Sequence, residues 1–369
     1  MTEQNSDPHP SPSPLPRSGG EGTGQRVFVS EYVCGGAWPQ KQLETSLARE
    51  GRAMLAALTE DIAKIPGCEV VTTWDARLGS CPFRHCEVRM VDSALDELSL
   101  FRELIGDSDA VWVIAPETNG ELLKRALQVR LVNDTEPPRS LPRRFLGASD
   151  RAILLASDKL PLAAWLQERG IPTPETLPFN PADRQAVRWP EPTIIKRRDG
   201  AGSQDMFLVR DGFDLWNARH ELGRLNEPET FIQQPFISGR ALSVALLISE
   251  DGTVLEVFPV AEQHLSDDGH FKYQGGRIPA DISPEAALAV QQLAERACRA
   301  VPGLTGYVGC DLVLPDVSPP EPTLIEINPR LTSSYLGYRQ LTDDNIPARL
   351  LDANMPPLRW KSNPVTFTV

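Results

Sequence analysis

Two strands near the C-terminal end of this chain limit its folding most. One reads Gly306-Tyr-Val-Gly-Cys-Asp311-Leu-Val-Leu314 and the other Leu324-Ile-Glu326-Ile-Asn328, joined by the proline-rich loop 315–322. Side chains two apart on a strand share a face, so Glu326 and Asn328 point together, with Pro329 ending the strand and Arg330 next. Read as hairpin partners, the strands set Asp311 beside Glu326. Burying such carboxylates costs several kcal/mol each unless something compensates. Arginine partners are one answer, with Arg277 and Arg330 available. A divalent cation is the other, because Asp, Glu and Asn oxygens form a hard ligand set suited to Mg²⁺. Asp311, Glu326 and Asn328 together favour the metal.

Upstream, strands alternate with helices. Arg26–Val33 reads as a strand running into Gly35-Gly36, followed by a helix over 42–63, a strand over 68–73, a helix over 93–104 and the apolar strand 110–114. This order predicts a parallel sheet with crossover helices on its faces. Gly35-Gly36 is a weak match to a dinucleotide fingerprint, because the spaced third glycine is absent. Residues 1–25 are rich in Pro, Ser and Gly with almost nothing to bury and read as a disordered tail. The expected organisation is an N-terminal α/β domain over 26–150, a small lobe over 151–228 and a larger lobe over 229–369.

The small lobe opens on a helix near Lys159, with Ser157 as its cap, Leu162, Trp165 and Leu166 as its buried stripe and Gly170 as its stop. A lysine in the first turn opposes the helix dipole, so Lys159 either faces an anion or is solvated. Two strands then flank the loop Gly200-Ala201-Gly202-Ser203, and Lys196 ends the first of them. Glycines let backbone N–H groups close on phosphate oxygens. No Gly-Lys-Ser/Thr opens a helix here, so the loop is not a Walker A motif, and a plain hairpin turn also accounts for its glycines.

Net charge is -13, from 37 basic and 50 acidic residues. That excludes bulk nucleic-acid binding, which needs a basic stripe to displace counterions. No run approaches a membrane span and the first residues lack an apolar core, so the chain reads as cytoplasmic, with no membrane partner. Six cysteines are scattered, and reduced thiols are expected. The cluster Cys81, His85 and Cys86 has no second ligand pair at zinc-finger spacing and reads as an ordinary loop.

In order, Asp158-Lys159, Ile195-Lys196 with its Gly loop, Gln234–Gly239, Lys272-Tyr273, Asp311 and Glu326-Ile-Asn328-Pro-Arg330 resemble the ATP-grasp superfamily of carboxylate–amine and carboxylate–thiol ligases. The resemblance spans about residues 26–345. It implies an α/β and α+β fold in which two lobes enclose ATP behind an N-terminal α/β domain. It further implies that Lys159 and Lys196 contact phosphates, that Gly200, Ala201, Gly202 and Ser203 close over them, and that Lys272 faces the γ-phosphate. Gln233, Gln234, Phe236 and Ile237 would line the adenine. Asp311, Glu326 and Asn328 would hold two Mg²⁺ ions, with Mn²⁺ as a substitute, and Arg330 would face the transferring phosphoryl. Ala241 stands where the family often has an acidic residue for the ribose hydroxyls, which leaves ribose to Ser243 or Gln233.

Within the superfamily, Glu31–Gly36, Ala115–Gly120, Gly239–Ser243 and Glu326–Ser334 are most similar to the tyramine–glutamate ligase group of methanofuran-type cofactor biosynthesis. The implied activity phosphorylates an amino-acid carboxylate and condenses it with an amine, with ADP and phosphate released. A different ligase or phosphotransferase on this scaffold, resembling carbamoyl phosphate synthase or D-alanine–D-alanine ligase, is the alternative, as is a non-catalytic ATP-binding module. The partners are then small-molecule acid and amine substrates, with self-association left open. Ligands gather at the C-terminal ends of strands in open α/β sheets, which makes Glu31, Gly35, Gly36, Glu117, Thr332 and Ser333 the substrate candidates. Glu31 and Glu117 suit an amine; Arg277, a catalytic candidate beside Lys272 and Arg330, suits a carboxylate, as does Arg330.

Overall fold

The computed structural model describes residues 24–39, 43, 45–135, 143–183, 188, 192–203, 205–227 and 230–368. The expected tail, apart from Gly24 and Gln25, and the expected helix start at Gln42 lie outside the described residues.

The first sheet contains β1 (Gln25–Glu31), β2 (Cys68–Asp75), β3 (Glu87–Val91), β4 (Ala110–Ile114) and β5 (Arg144–Phe145), all parallel, in the order β3-β2-β1-β4-β5. Its crossovers are α1 (Thr45–Ala63), α2 (Ala94–Asp107) and α3 (Glu121–Thr135). Strands covered on both faces are expected to be apolar throughout, and β4, Ala-Val-Trp-Val-Ile, is buried at every position. Edge strand β3 escapes the sequence pattern, since only Val91 of its Glu-Val-Arg-Met-Val is buried.

Helices α4 (Asp150–Ser157) and α5 (Lys159–Gln167) meet at Asp158, whose carboxylate accepts from Leu160 N at 3.1 Å. Asp158 is therefore the cap, and Ser157 ends the preceding helix. A carboxylate caps better here because it also receives Arg198 Nε at 3.0 Å.

The second sheet contains β6 (Leu177–Phe179), β7 (Thr193–Arg197), β8 (Phe207–Val209) and β9 (Phe231–Pro235), antiparallel in the order β6-β9-β7-β8 and backed by α6 (Gly212–Gly223). It keeps a small core of its own, built on Phe179, Ile195, Val209, Ala218, Leu222 and Phe231.

The third sheet contains β10 (Arg240–Ile248), β11 (Val254–Val257), β12 (Ala261–Leu265), β13 (Tyr273–Ile278), β14 (Gly306–Leu314), β15 (Thr323–Asn328) and β16 (Val365–Phe367). Its order is β15-β14-β10-β12-β13-β16, with β11 beside β10. Helix α7 (Pro284–Arg299), capped by Ser283, packs on it, and α8 (Tyr335–Leu341) and α9 (Ile346–Leu351) follow β15. One continuous core joins this sheet to the first, through residues such as Leu58, Phe258, Tyr307 and Tyr338. Among the described residues no helix is long and apolar enough to cross a membrane.

Candidate active site

The acid-bearing strands pair as their alternation predicts. In the β14–β15 ladder Asp311 stands opposite Glu326, with a register shift immediately after Asp311. Asp311 receives two amides, Gln263 Nε2 at 2.7 Å and Asn328 Nδ2 at 2.9 Å. Glu326 instead receives Lys159 Nζ at 3.0 Å. The two carboxylates therefore differ electrostatically. Burial, then the charge of Glu326, holds the Asp311 carboxyl well above the usual carboxylate range. Burial works the same way on Glu326, but Lys159 and Lys196 overcome it and hold that carboxyl below its ordinary value.

Both lysines come from the other side of the cleft. Lys159 opens α5 and donates to the Gly200 carbonyl at 2.8 Å, which ties the glycine loop to the acid strands. Lys196 lies in β7 and is 3% exposed. Burial pulls its ammonium down to about 8, opposed by Glu326. These groups line a cavity of about 560 Å³ between the second and third sheets.

Of the expected ATP contacts, Lys159, Lys196, Gly200, Gly202, Ser203, Gln234, Phe236, Ile237 and Ser243 line this cavity. Ala201 and Gln233 do not line it. Gln233 is buried behind the wall, where its amide spans Arg188 N at 3.1 Å and the Pro178 carbonyl at 3.1 Å. Ser203, at φ 61°, donates to the Phe271 carbonyl at 2.7 Å and so links the glycine loop to the third sheet. Phe271 stacks on Phe236 with ring centroids 6.0 Å apart, an apolar platform in the cavity lining.

Arg330, Thr332 and Ser333 line the cavity beyond Asn328. Other expected residues lie elsewhere. Lys272 is 71% exposed in its side chain and 4.0 Å from Asp268. Arg277, in β13, pairs with Asp281 at 3.3 Å. Glu117 is engaged by Arg330 through Nε at 2.9 and 3.0 Å and Nη2 at 2.9 Å, a bidentate pair across 213 residues of chain. Glu31 is 4% exposed and accepts from Cys34 N at 2.5 Å. Gly35 and Gly36 are buried in a tight turn against Thr73 and Val91. Neither acidic candidate for an amine thus opens into the cavity: one is saturated by a guanidinium and the other by backbone N–H groups.

The sequence reading assigned no site role to Gln263, Glu50 or Tyr273, all of which line the cavity. Gln263 lies on β12, which pairs with β10, and the polar stretch around it carried no strand signal. Among the described residues no three His, Cys, Asp or Glu side chains gather as a metal cluster, the Cys81–Cys86 segment included. A cation at this wall therefore rests on the two carboxylates and the Asn328 amide oxygen.

Known proteins bear on this geometry. Residues 156–334 match the family model described as the ATP-grasp domain, and residues 68–135 match the pre ATP-grasp 3 domain. A tyramine–L-glutamate ligase of Methanocaldococcus jannaschii is 24% identical over 348 residues, 94% of each chain. The crystal structure of an ATP-grasp superfamily protein from Archaeoglobus fulgidus superposes with a TM-score of 0.66 at 26% identity, covering 91% of this chain and 90% of that one. The ADP complex of an N5-carboxyaminoimidazole ribonucleotide synthetase superposes at 0.67 and 16% identity, covering 92% of this chain and 79% of that one.

Proposed function

We propose that this chain, which belongs to the ATP-grasp superfamily, activates an amino-acid carboxylate with ATP and condenses it with an amine. The observation that carries the reading is one cavity wall where Asp311, Glu326 and Asn328 face Lys159 and Lys196. Opposite charges are concentrated there on elements that share little local sequence, which suits a polyphosphate bridged to protein by a cation.

In this reading the adenine rests by Phe236, Ile237 and Phe271, with Gln234 at its edge and Ser243 toward the ribose. Backbone groups of Gly200, Gly202 and Ser203 close over the phosphates, and Lys159 and Lys196 neutralise them. Asp311, Glu326 and Asn328 would hold Mg²⁺, two ions being the expectation, with Mn²⁺ as a substitute. The donor set fits: two carboxylates facing each other, one raised by burial and then by its neighbour's charge, are eased into being charged together by a cation. Bound Mg²⁺ supplies charge neutralisation at the transferring phosphoryl group.

Arg330 is held rigidly by Glu117 at the exit of β15, where an acyl phosphate would sit between phosphate and substrate subsites. Thr332 and Ser333 extend that subsite. The carboxylate oxygen attacks the γ-phosphorus, ADP leaves, and the amine then displaces phosphate from the acyl carbon. The M. jannaschii relative's name makes L-glutamate and tyramine the first pair to try, and their amide is of the kind met in methanofuran-type cofactors. The lobes assigned to 151–228 and 229–369 supply the two sides of the cleft, behind an N-terminal domain over 26–150.

An oxygen-transfer experiment tests this. Glutamate carrying heavy oxygen in its side-chain carboxylate is expected to deliver one labelled oxygen to the released phosphate. Amide product accompanied by unlabelled phosphate would contradict an acyl phosphate route.

A further inference from the structure

Two carboxylates of the cavity lining, Glu50 and the exposed Asp267, have no role in the reading above, and Glu50 is the more buried of them. Glu50 lies in α1 of the first sheet's layer, yet lines the same cavity as Asp311 and Glu326, with Met54 one helical turn on. Among the described residues its one hydrogen bond comes from Ser333 Oγ at 3.4 Å, long for a hydroxyl donor. Arg330 and Arg49 act on it by charge, but Arg49 is exposed and the Arg330 guanidinium is committed elsewhere. Its Nε and Nη2 are on Glu117, and its Nη1 is 3.2 Å from the Leu331 carbonyl.

Tyr273 lines the same cavity as Glu50 and the acid strands. Burial pushes its phenol up, and Asp311, then Tyr307 and Glu50, push it further. Glu50 thus stands in the cavity apart from the Asp311–Glu326 pair that meets the lysines, with no lysine of its own among the described residues. A partly desolvated carboxylate without a cationic hydrogen-bond partner is stabilised by a cation that arrives as ligand.

We propose that Glu50 binds the ammonium group of the amine substrate and accepts one of its protons before the amine attacks. This rests on the ligase reading above. An alkylamine is protonated at neutral pH, as a lysine is, and its nitrogen then has no lone pair to donate. Glu50 takes one proton, and the lone pair so freed attacks the acyl carbon. The C–N bond forms, the C–O bond to phosphate breaks, and its electron pair leaves on phosphate. The nitrogen's second proton goes to that phosphate, and Glu50 returns its own to solvent. Burial raises the Glu50 carboxyl above the ordinary range, which makes it a better base for this step.

The test compares two nucleophiles, tyramine and hydroxylamine, with ATP and L-glutamate in wild type, Glu50→Gln and Glu50→Asp. Hydroxylamine is unprotonated at neutral pH and traps the acyl phosphate as a hydroxamate without a base. In Glu50→Gln, tyramine amide formation is expected to fall at least about a hundredfold while hydroxamate formation stays within about threefold. Glu50→Asp should recover part of the amide rate. Hydroxamate formation also reports that the variant is folded. Equal loss of both products, or an unchanged amide rate, overturns the assignment. So does a wild-type enzyme that makes the hydroxamate but condenses no protonated amine. A wild-type enzyme that forms neither ADP nor hydroxamate refutes the ligase reading itself, and this inference with it.

Discussion

Lys159 Nζ stands 3.0 Å from Glu326 Oε2, an ion pair between the first turn of α5 and the acid strand β15. It joins the two sides of the cleft and, with Lys196, holds the Glu326 carboxyl low beside an Asp311 carboxyl that burial and Glu326 hold high. Replacing Glu326 by Gln removes the anion that both lysines balance. ADP formation, followed by a coupled assay, is expected to fall at least about a hundredfold, and chelation of divalent cations should abolish it in wild type until Mg²⁺ or Mn²⁺ is restored.

Arg330 and Glu117 predict a stability effect. Their side chains are 14% and 6% exposed, so neither charge is well solvated alone. Glu117→Gln leaves a buried guanidinium without its counter-charge and is expected to lower unfolding stability by about 3–5 kcal/mol. Urea denaturation measures this; a double variant with Arg330→Met should be less destabilised than the two single effects added together.

Glu31 predicts a pH dependence. Burial pushes its carboxyl up to about 7 from an ordinary 4.5. With the folded value above the unfolded one, its favourable contribution is complete below pH 4.5 and is lost as pH rises through 7. At about 1.4 kcal/mol per unit this is about 3 kcal/mol. Stability of wild type relative to Glu31→Gln, measured by denaturation at pH 5 and pH 8, should fall by about that much between the two.

Two lysines should separate. Lys196 is buried at the cavity wall, whereas Lys272 extends into solvent. Lys196→Met is expected to reduce ATP turnover at least about a hundredfold, and Lys272→Met to leave it within about threefold. Similar losses in steady-state assays would mean that Lys272 reaches the phosphates.

What the sequence disclosed follows from physical range. The Asp311–Glu326 pairing was legible because strand alternation fixes which side chains share a face, and β4 and β14 run over the expected residues. Strands β12 and β13 were not, since their polar, half-exposed residues carry no apolar period. Pairings across the fold were equally hidden. Nothing in the local pattern shows that Glu117 will meet a guanidinium 213 residues later, or that Glu50 on an early helix will reach a cavity built by the last two sheets.

The most direct test of the central claim is ADP release by the purified protein against L-glutamate and tyramine, each alone and together, with the product mass recorded. The account predicts full turnover only with both substrates, together with a product equal to their sum less one water. ATP binding without ADP formation for any acid–amine pair, or a stable phosphorylated acid that tyramine never consumes, would contradict it.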